Sequence, residues 1–168
     1  NKGLFLDRDG VINFDYGYVH KIKDFDFRPE IFEVCKTAIN FNFKIIVVTN
    51  QSGIGQNIFS ISDFKKLNNY FLLIFVQNKI KITDVFYCPV HPTKGKGKYL
   101  KNSFNRKPNP GMILDASKKH LIDLDRSIMI GDKLVDNQAA KNSQIKHYID
   151  ANEKNWSIEC IKLMKEMY

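Results

Sequence analysis

Short apolar runs alternate along this chain with stretches whose apolar residues return every three or four positions. Leu4-Phe5-Leu6, Ile45-Ile46-Val47-Val48, Val85-Phe86-Tyr87 and Ile128-Met129-Ile130 are continuously apolar. Strands covered on both faces read this way, whereas a half-exposed strand alternates apolar with polar. Strands are therefore expected over Gly3–Asp7, Lys44–Thr49, Thr83–Cys88, Ser127–Gly131 and Lys146–Ile149. Between them, Pro29–Phe41 repeats apolar side chains at Ile31, Val34, Cys35, Ala38 and Ile39, and Ile61–Lys79 does so at Phe64, Leu67, Phe71 and Ile74. That spacing is one face of a helix. Asn109-Pro110 reads as an N-cap with proline in the first turn, opening a helix to His120. Asp132 is expected to open another helix to Asn142, and Trp156–Met167 to close the chain. Strand and helix in alternation predict an α/β fold with a mainly parallel sheet.

Two stretches break the alternation. Residues 9–28 are rich in Tyr, Asp and Gly, and residues 89–107 carry Pro89, Pro92, Gly95 and Gly97. Loops this long in a compact domain are usually functional or disordered. Neither is long enough to fold alone, which predicts one domain over residues 1–168 and an open site with at most loop-sized lids.

Composition narrows the function classes. The 168 residues, 43% hydrophobic, suffice for a single buried core, and no apolar run approaches a membrane span. The start of the chain carries no signal-peptide pattern, so a cytoplasmic protein without a membrane partner is expected. Cys35, Cys88 and Cys160 are odd in number and lack a CxxC pair, which fits free thiols in a reducing compartment. Cys35 and Cys160 fall on apolar helical positions. The net charge of +8, from 26 Lys+Arg against 18 Asp+Glu, would support binding to any polyanion. Yet Lys far outnumbers Arg, the cations are scattered apart from Lys94 to Lys101, and no aromatic stacking platform is interleaved with them. A nucleic-acid partner, or processing of nucleic-acid 3′-phosphates, is the disfavoured reading.

Open α/β sheets bind ligands at the C-terminal ends of their strands. The first strand ends at Asp7-Arg8-Asp9-Gly10, the second at Thr49-Asn50-Gln51-Ser52-Gly53, and the fourth at Gly131-Asp132 with Asp136 one helical turn on. Arg106-Lys107-Pro108 precedes the Asn109 cap. Each piece alone is also what a polar turn, a helix cap or a solvated lysine looks like. Together they supply a nucleophile and a general acid, acidic metal ligands, and a hydroxyl and a cation for equatorial oxygens. That is an inventory for phosphoryl transfer.

On these motifs the chain resembles the haloacid dehalogenase superfamily of aspartyl-phosphate hydrolases. Asp15-Tyr16-Gly17-Tyr18-Val19, Val48–Gly55, Cys88-Pro89, Arg106-Lys107-Pro108 and Pro110-Gly111-Met112 narrow the resemblance to its D-glycero-D-manno-heptose 1,7-bisphosphate and histidinol-phosphate phosphatases. The resemblance runs from about residue 3 to residue 150. It implies a Rossmann-like three-layer sandwich without a large cap domain, and Mg²⁺-dependent removal of the C7 phosphate of a heptose bisphosphate for lipopolysaccharide synthesis. Histidinol phosphate is the alternative substrate, and an inactive scaffold the reading that filled catalytic positions disfavour.

Laid on this sequence, the resemblance makes Asp7 the nucleophile and Asp9 the general acid, with Thr49 and Lys107 on the transferring phosphoryl group. Mg²⁺ would be held by Asp7, Asp132 and the Asp9 carbonyl, with Asp136 behind them orienting Lys133 or a metal-bound water. Asp15, Tyr18, Asn50, Gln51, Ser52, Arg106 and Lys133 would meet the small sugar-phosphate substrate, and a monomer is expected. The family's structural zinc is not expected here. Of its CxH and CxC ligand positions only Cys88 remains; Val90, Ser103 and Asn105 fill the others, and His91 is shifted by one. Without that staple, residues 89–105 should be more mobile, and Lys94-Gly95-Lys96-Gly97-Lys98 reads as a solvated loop rather than a distal phosphate site. His20, His120 and His147 have no partners at ligand spacing.

Overall fold

A computed structural model describes residues 1–168. Five parallel strands, β1 (Lys2–Leu6), β2 (Phe43–Asn50), β3 (Asp84–Cys88), β4 (Asp123–Gly131) and β5 (His147–Asp150), form one sheet in the order β3-β2-β1-β4-β5. Around it lie α1 (Glu30–Asn40), α2 (Ser52–Gly55), α3 (Ile61–Gln77), α4 (Gly111–His120), α5 (Leu134–Asn142) and α6 (Trp156–Glu166). This is the expected Rossmann-like sandwich, and no large cap domain is inserted.

The strand period of two sorts the helices into layers. Leu4, Leu6, Ile45, Val47, Ile128 and Ile130 point to one face, where they pack with Ile31, Val34 and Cys35 of α1, Leu67 and Phe71 of α3, and Trp156 and Cys160 of α6. Phe5, Ile46, Val48 and Met129 point to the other, against Met112, Ile113 and Ala116 of α4 and Ala139 and Ala140 of α5. Both faces of the central strands are thus dry, which is why their runs are unbroken. All three cysteines are buried free thiols. No helix is long and apolar enough to cross a membrane.

Most element bounds lie within one or two residues of the sequence expectation; at three starts the partners differ as well. β4 begins at Asp123 because Asp123 pairs with Lys2 ahead of a register break, across which the Ser127 hydroxyl accepts the Gly3 N–H (2.9 Å). α4 begins at Gly111, and Asn109 does not cap it: the Asn109 amide donates to the Ser103 carbonyl (2.9 Å), while the Gly111 N–H reaches the Phe104 carbonyl (2.9 Å). α5 begins at Leu134, and Asp132 is not its cap. Asp136 Oδ2 instead accepts the N–H groups of Asp132 (3.2 Å) and Lys133 (3.1 Å).

Neither long loop stands apart from the domain. Val11, Ile12, Val19 and Phe25 anchor residues 9–28 in the main core. In the second loop Ser103 Oγ accepts the Asn105 N–H (3.1 Å), His91 Nδ1 accepts those of Thr93 (3.1 Å) and Lys94 (3.0 Å), and the Lys96 N–H reaches the Gly55 carbonyl (2.8 Å).

Candidate active site

β1 is central, with β2 on one side and β4 on the other, so the chain turns away in opposite senses at its C-terminal end. Leu6 pairs with Val47 and with Ile130, which brings Asp7, Thr49 and Asp132 to one edge of the sheet. There Asp7 lines a cavity of about 430 Å³ together with Asp9, Asp15, Tyr18, Asn50, Gln51, Ser52, Arg106, Lys107, Lys133 and Asp136 among others. Residues remote in sequence therefore share one chamber.

Lys107 organises its floor. The side chain is 2% exposed, and its ammonium lies 2.9 Å from Asp7 Oδ1, 2.7 Å from Asp136 Oδ1 and 2.8 Å from the Val48 carbonyl. The ammonium is thus enclosed by two carboxylates and a carbonyl. Despite burial, the carboxylates of Asp7 and Asp136 raise its pKa above the ordinary lysine value. Asn50 holds the Lys107 backbone reciprocally: its amide donates to the Lys107 carbonyl (3.0 Å) and accepts the Lys107 N–H (3.0 Å). Although Asn50 lines the cavity, its side chain is spent on positioning Lys107.

Asp7 Oδ1 also accepts the Arg8 N–H (2.8 Å), while Oδ2 accepts no hydrogen bond and is the oxygen left for chemistry. Burial pushes the Asp7 carboxyl up to about 7 against the pull of Lys107. Burial likewise raises Asp132 to about 6. Asp9 is gripped differently. Arg8 Nη2 donates to both of its oxygens (2.9 and 3.0 Å), Asn13 to Oδ1 (2.9 Å) and Gln51 to Oδ2 (3.1 Å). Arg8, 1% exposed, also reaches the Val19 carbonyl (2.6 Å), tying the acid to the loop above it.

The upper wall is charged. Lys133 pairs with Asp15 (3.0 Å), and although burial opposes it, the Gly17 N–H and Lys133 hold Asp15 below the usual carboxylate range. Arg106 is anchored through Nη1 to the Val90 carbonyl (3.1 Å). Gln56 bridges the Tyr18 hydroxyl (3.3 Å) and Ser52 Oγ (3.1 Å), latching the 15–18 segment to α2. Of the site residues expected from sequence, all but Thr49 and Asp132 line this cavity; Thr49 is buried, its Oγ1 accepting the Gln51 amide, and Lys94, Lys96 and Lys98 do not line the cavity either. Arg8, Asn13 and Gln56 join the site beyond the residues the sequence motifs point to. An arginine between two aspartates was a visible signal; Asn13 and Gln56 matter only through their three-dimensional partners.

The donor set suits a hard divalent cation. One oxygen each from Asp7, Asp132 and Asp136 lies within 4.8 Å of the others, and buried Asp132 Oδ1 has no hydrogen-bond partner. Both Asp136 oxygens are engaged, Oδ1 beside Lys107 and Oδ2 by the Asp132 and Lys133 N–H groups, whereas Asp7 Oδ2 and Asp132 Oδ1 are free to ligate, and the Asp9 carbonyl accepts no hydrogen bond from the protein.

Residues 99–149 match the haloacid dehalogenase-like hydrolase family model. Over 145 residues the chain is 45% identical to the D-glycero-alpha-D-manno-heptose-1,7-bisphosphate 7-phosphatase of Burkholderia mallei, covering 86% of this chain and 77% of that protein. The chain belongs to this phosphatase family. The Campylobacter jejuni enzyme of the same name is 43% identical over 153 residues, covering 91% of this chain and 84% of that protein. A Helicobacter pylori relative named for the beta anomer is 40% identical over 148 residues, covering 88% and 82%. In fold, the phosphatase superposes on D,D-heptose 1,7-bisphosphate phosphatase from B. bronchiseptica, complexed with magnesium and phosphate, with TM-score 0.80 over 99% of each chain at 22% identity.

Two expectations arise for this phosphatase. With Asp7 raised to about 7 and Asp132 to about 6, each carboxyl in the metal-free protein holds, below its own value, a proton that a cation must displace. Mg²⁺ affinity should therefore rise, and proton release on binding fall, as pH climbs from about 5 to about 8. Calorimetry in buffers of different ionisation enthalpy measures both; a pH-independent affinity would contradict the assignment. The second concerns Gly10, whose φ is +90° and where a Cβ would stand 2.1 Å from Asp132 Oδ2. Gly10→Ala should displace Asp132 and lower Mg²⁺ affinity and turnover by roughly tenfold or more, given strain of about 1–3 kcal/mol. Wild-type Mg²⁺ affinity in that variant would show that Asp132 is not constrained here.

Proposed function

We propose that this chain removes the C7 phosphate of a D-glycero-D-manno-heptose 1,7-bisphosphate in the bacterial cytoplasm, with Mg²⁺, in the supply of lipopolysaccharide precursors. The observation that carries the reading is the pairing of Asp7 and Asp9 on the cavity floor with Arg106 and Lys133 above them. A bisphosphate presents a second anion to those cations. Histidinol phosphate would present an ammonium group to them, and like charges oppose its seating.

In the proposed reaction an Asp7 oxygen forms a bond to phosphorus as the bond from phosphorus to the sugar oxygen breaks. Asp9 delivers its proton to that oxygen, and the heptose 1-phosphate departs. Asp9 then takes a proton from water, whose oxygen attacks phosphorus; the bond to Asp7 breaks and inorganic phosphate leaves. Lys107 holds Asp7 in one orientation and offsets the negative charge gathered beside it. Thr49 and Ser52 offer hydroxyls to the phosphoryl oxygens, and Asp15 and Tyr18 offer polar groups to the sugar. A divalent cation held by Asp7, Asp132 and the Asp9 carbonyl would screen phosphate from carboxylate.

A phosphate-release panel tests the proposal: both heptose bisphosphate anomers, histidinol phosphate and simple sugar phosphates, with Mg²⁺ and with chelator. One heptose bisphosphate anomer should lead in kcat/KM, and chelator should abolish turnover. A lead for histidinol phosphate would overturn the substrate and leave the chemistry standing.

A further inference from the structure

We infer that Gln51 is a positioning residue for Asp9, and so sets the efficiency of leaving-group protonation rather than binding substrate. The inference rests on the phosphatase reading of this cavity. Gln51 is 4% exposed, and its amide nitrogen stands 3.1 Å from Asp9 Oδ2 and 2.9 Å from Thr49 Oγ1. A carboxylate only accepts, so the group facing Asp9 must be the NH₂ and not the amide oxygen. An amide nitrogen has two hydrogens, and both are committed. None remains for a phosphate or a sugar hydroxyl.

The backbone prepares this geometry. The Gln51 N–H donates to the Cys88 carbonyl (2.8 Å), extending the β2–β3 ladder one residue beyond the strand, and α2 starts at the next residue. The side chain therefore leaves from a fixed point and spans from Thr49, at the end of β2, to Asp9, beyond the end of β1. Arg8 and Asn13 hold Asp9 from its own loop; Gln51 is its amide partner from the neighbouring strand. Removing it frees Asp9 to rotate about the Arg8 contact, away from the oxygen it must protonate.

Leaving-group dependence separates this role from ligand binding. In the first chemical step the bond to Asp7 forms, the bond to the leaving oxygen breaks, and Asp9 supplies the proton. kcat/KM reports that step and not the later hydrolysis. Across substituted phenyl phosphates, 4-nitrophenol departs without a proton, whereas phenol needs one. Gln51→Met should therefore cost phenyl phosphate roughly tenfold more kcat/KM than 4-nitrophenyl phosphate, steepening the Brønsted plot. Gln51→Glu, which keeps length and packing but not the donors, should steepen it too. Equal losses across the series, or none in either variant, would overturn the inference.

A double-mutant cycle on the heptose bisphosphate gives a second readout. Gln51→Met should cost little more in an Asp9→Asn background, because it acts through Asp9; full additivity would overturn the proposal. The phenyl esters carry no sugar, so failure of the wild-type enzyme on the heptose bisphosphate would be a separate result that refutes only the substrate.

Discussion

Asp7→Asn is expected to abolish turnover, by more than about 10⁴-fold, the scale on which enzymes suffer when the attacking group is lost. The fold should survive. The new amide oxygen can still accept from the Arg8 N–H and from Lys107, and Lys107 keeps Asp136 and the Val48 carbonyl. Stability should also respond to pH with a definite sign. The folded Asp7 carboxyl sits near 7 and its ordinary value is 3.8, so between these the folded protein binds the extra proton. Metal-free wild-type protein therefore loses this contribution to stability as pH rises through that window, and the Asn variant should lack that slope. Phosphate release and denaturant melts at several pH values read both effects. A folded Asp7→Asn protein turning over at the wild-type rate would remove Asp7 as nucleophile.

Lys107→Met carries the largest expected cost in stability. It leaves Asp7 and the fully buried Asp136 facing each other without their shared cation. Breaking a buried ion pair from one side typically costs about 3–5 kcal/mol, because the remaining charge has lost both water and partner. Urea denaturation in chelator should show that loss. Mg²⁺ should recover part of it, since a cation beside Asp7 and Asp132 again offsets the carboxylates. Turnover should fall by about 10²–10³, as when one fixed electrostatic group is removed from a reacting centre. A metal-free variant within about 1 kcal/mol of wild type would show that the carboxylates relieve each other by protonation.

Because Lys107 is enclosed by Asp7, Asp136 and the Val48 carbonyl, its contact with a phosphoryl group would compete with those partners. Its primary work in the metal-free protein is electrostatic and orientational. Asp136 serves the same end twice: Oδ1 holds Lys107, and Oδ2 secures the Asp132 and Lys133 N–H groups that open α5. A single side chain thus couples the base of the site to the turn carrying Asp132.

The sequence by itself determined that Leu4-Phe5-Leu6 and its counterparts are strands buried on both faces, that acids follow two of their ends, that a threonine closes another, and that a lysine precedes a helix. Such features are local: side-chain period and backbone preference act over a few residues, whatever the rest of the chain does. Helix starts were less legible, since the donors at Gly111 and Asp132 are satisfied by Phe104 and Asp136 rather than by the nearest capping candidates. Tertiary structure alone decided that Asn50 clamps the backbone of Lys107, that buried Arg8 grips Asp9, and that Gln51 spends its amide on Asp9 and Thr49. Those partners depend on which strands lie side by side and in what register. Hydrogen bonds and ion pairs are short-ranged and directional, so a shift of one residue in register would exchange the cross-strand ones and turn each strand's side chains to the opposite layer.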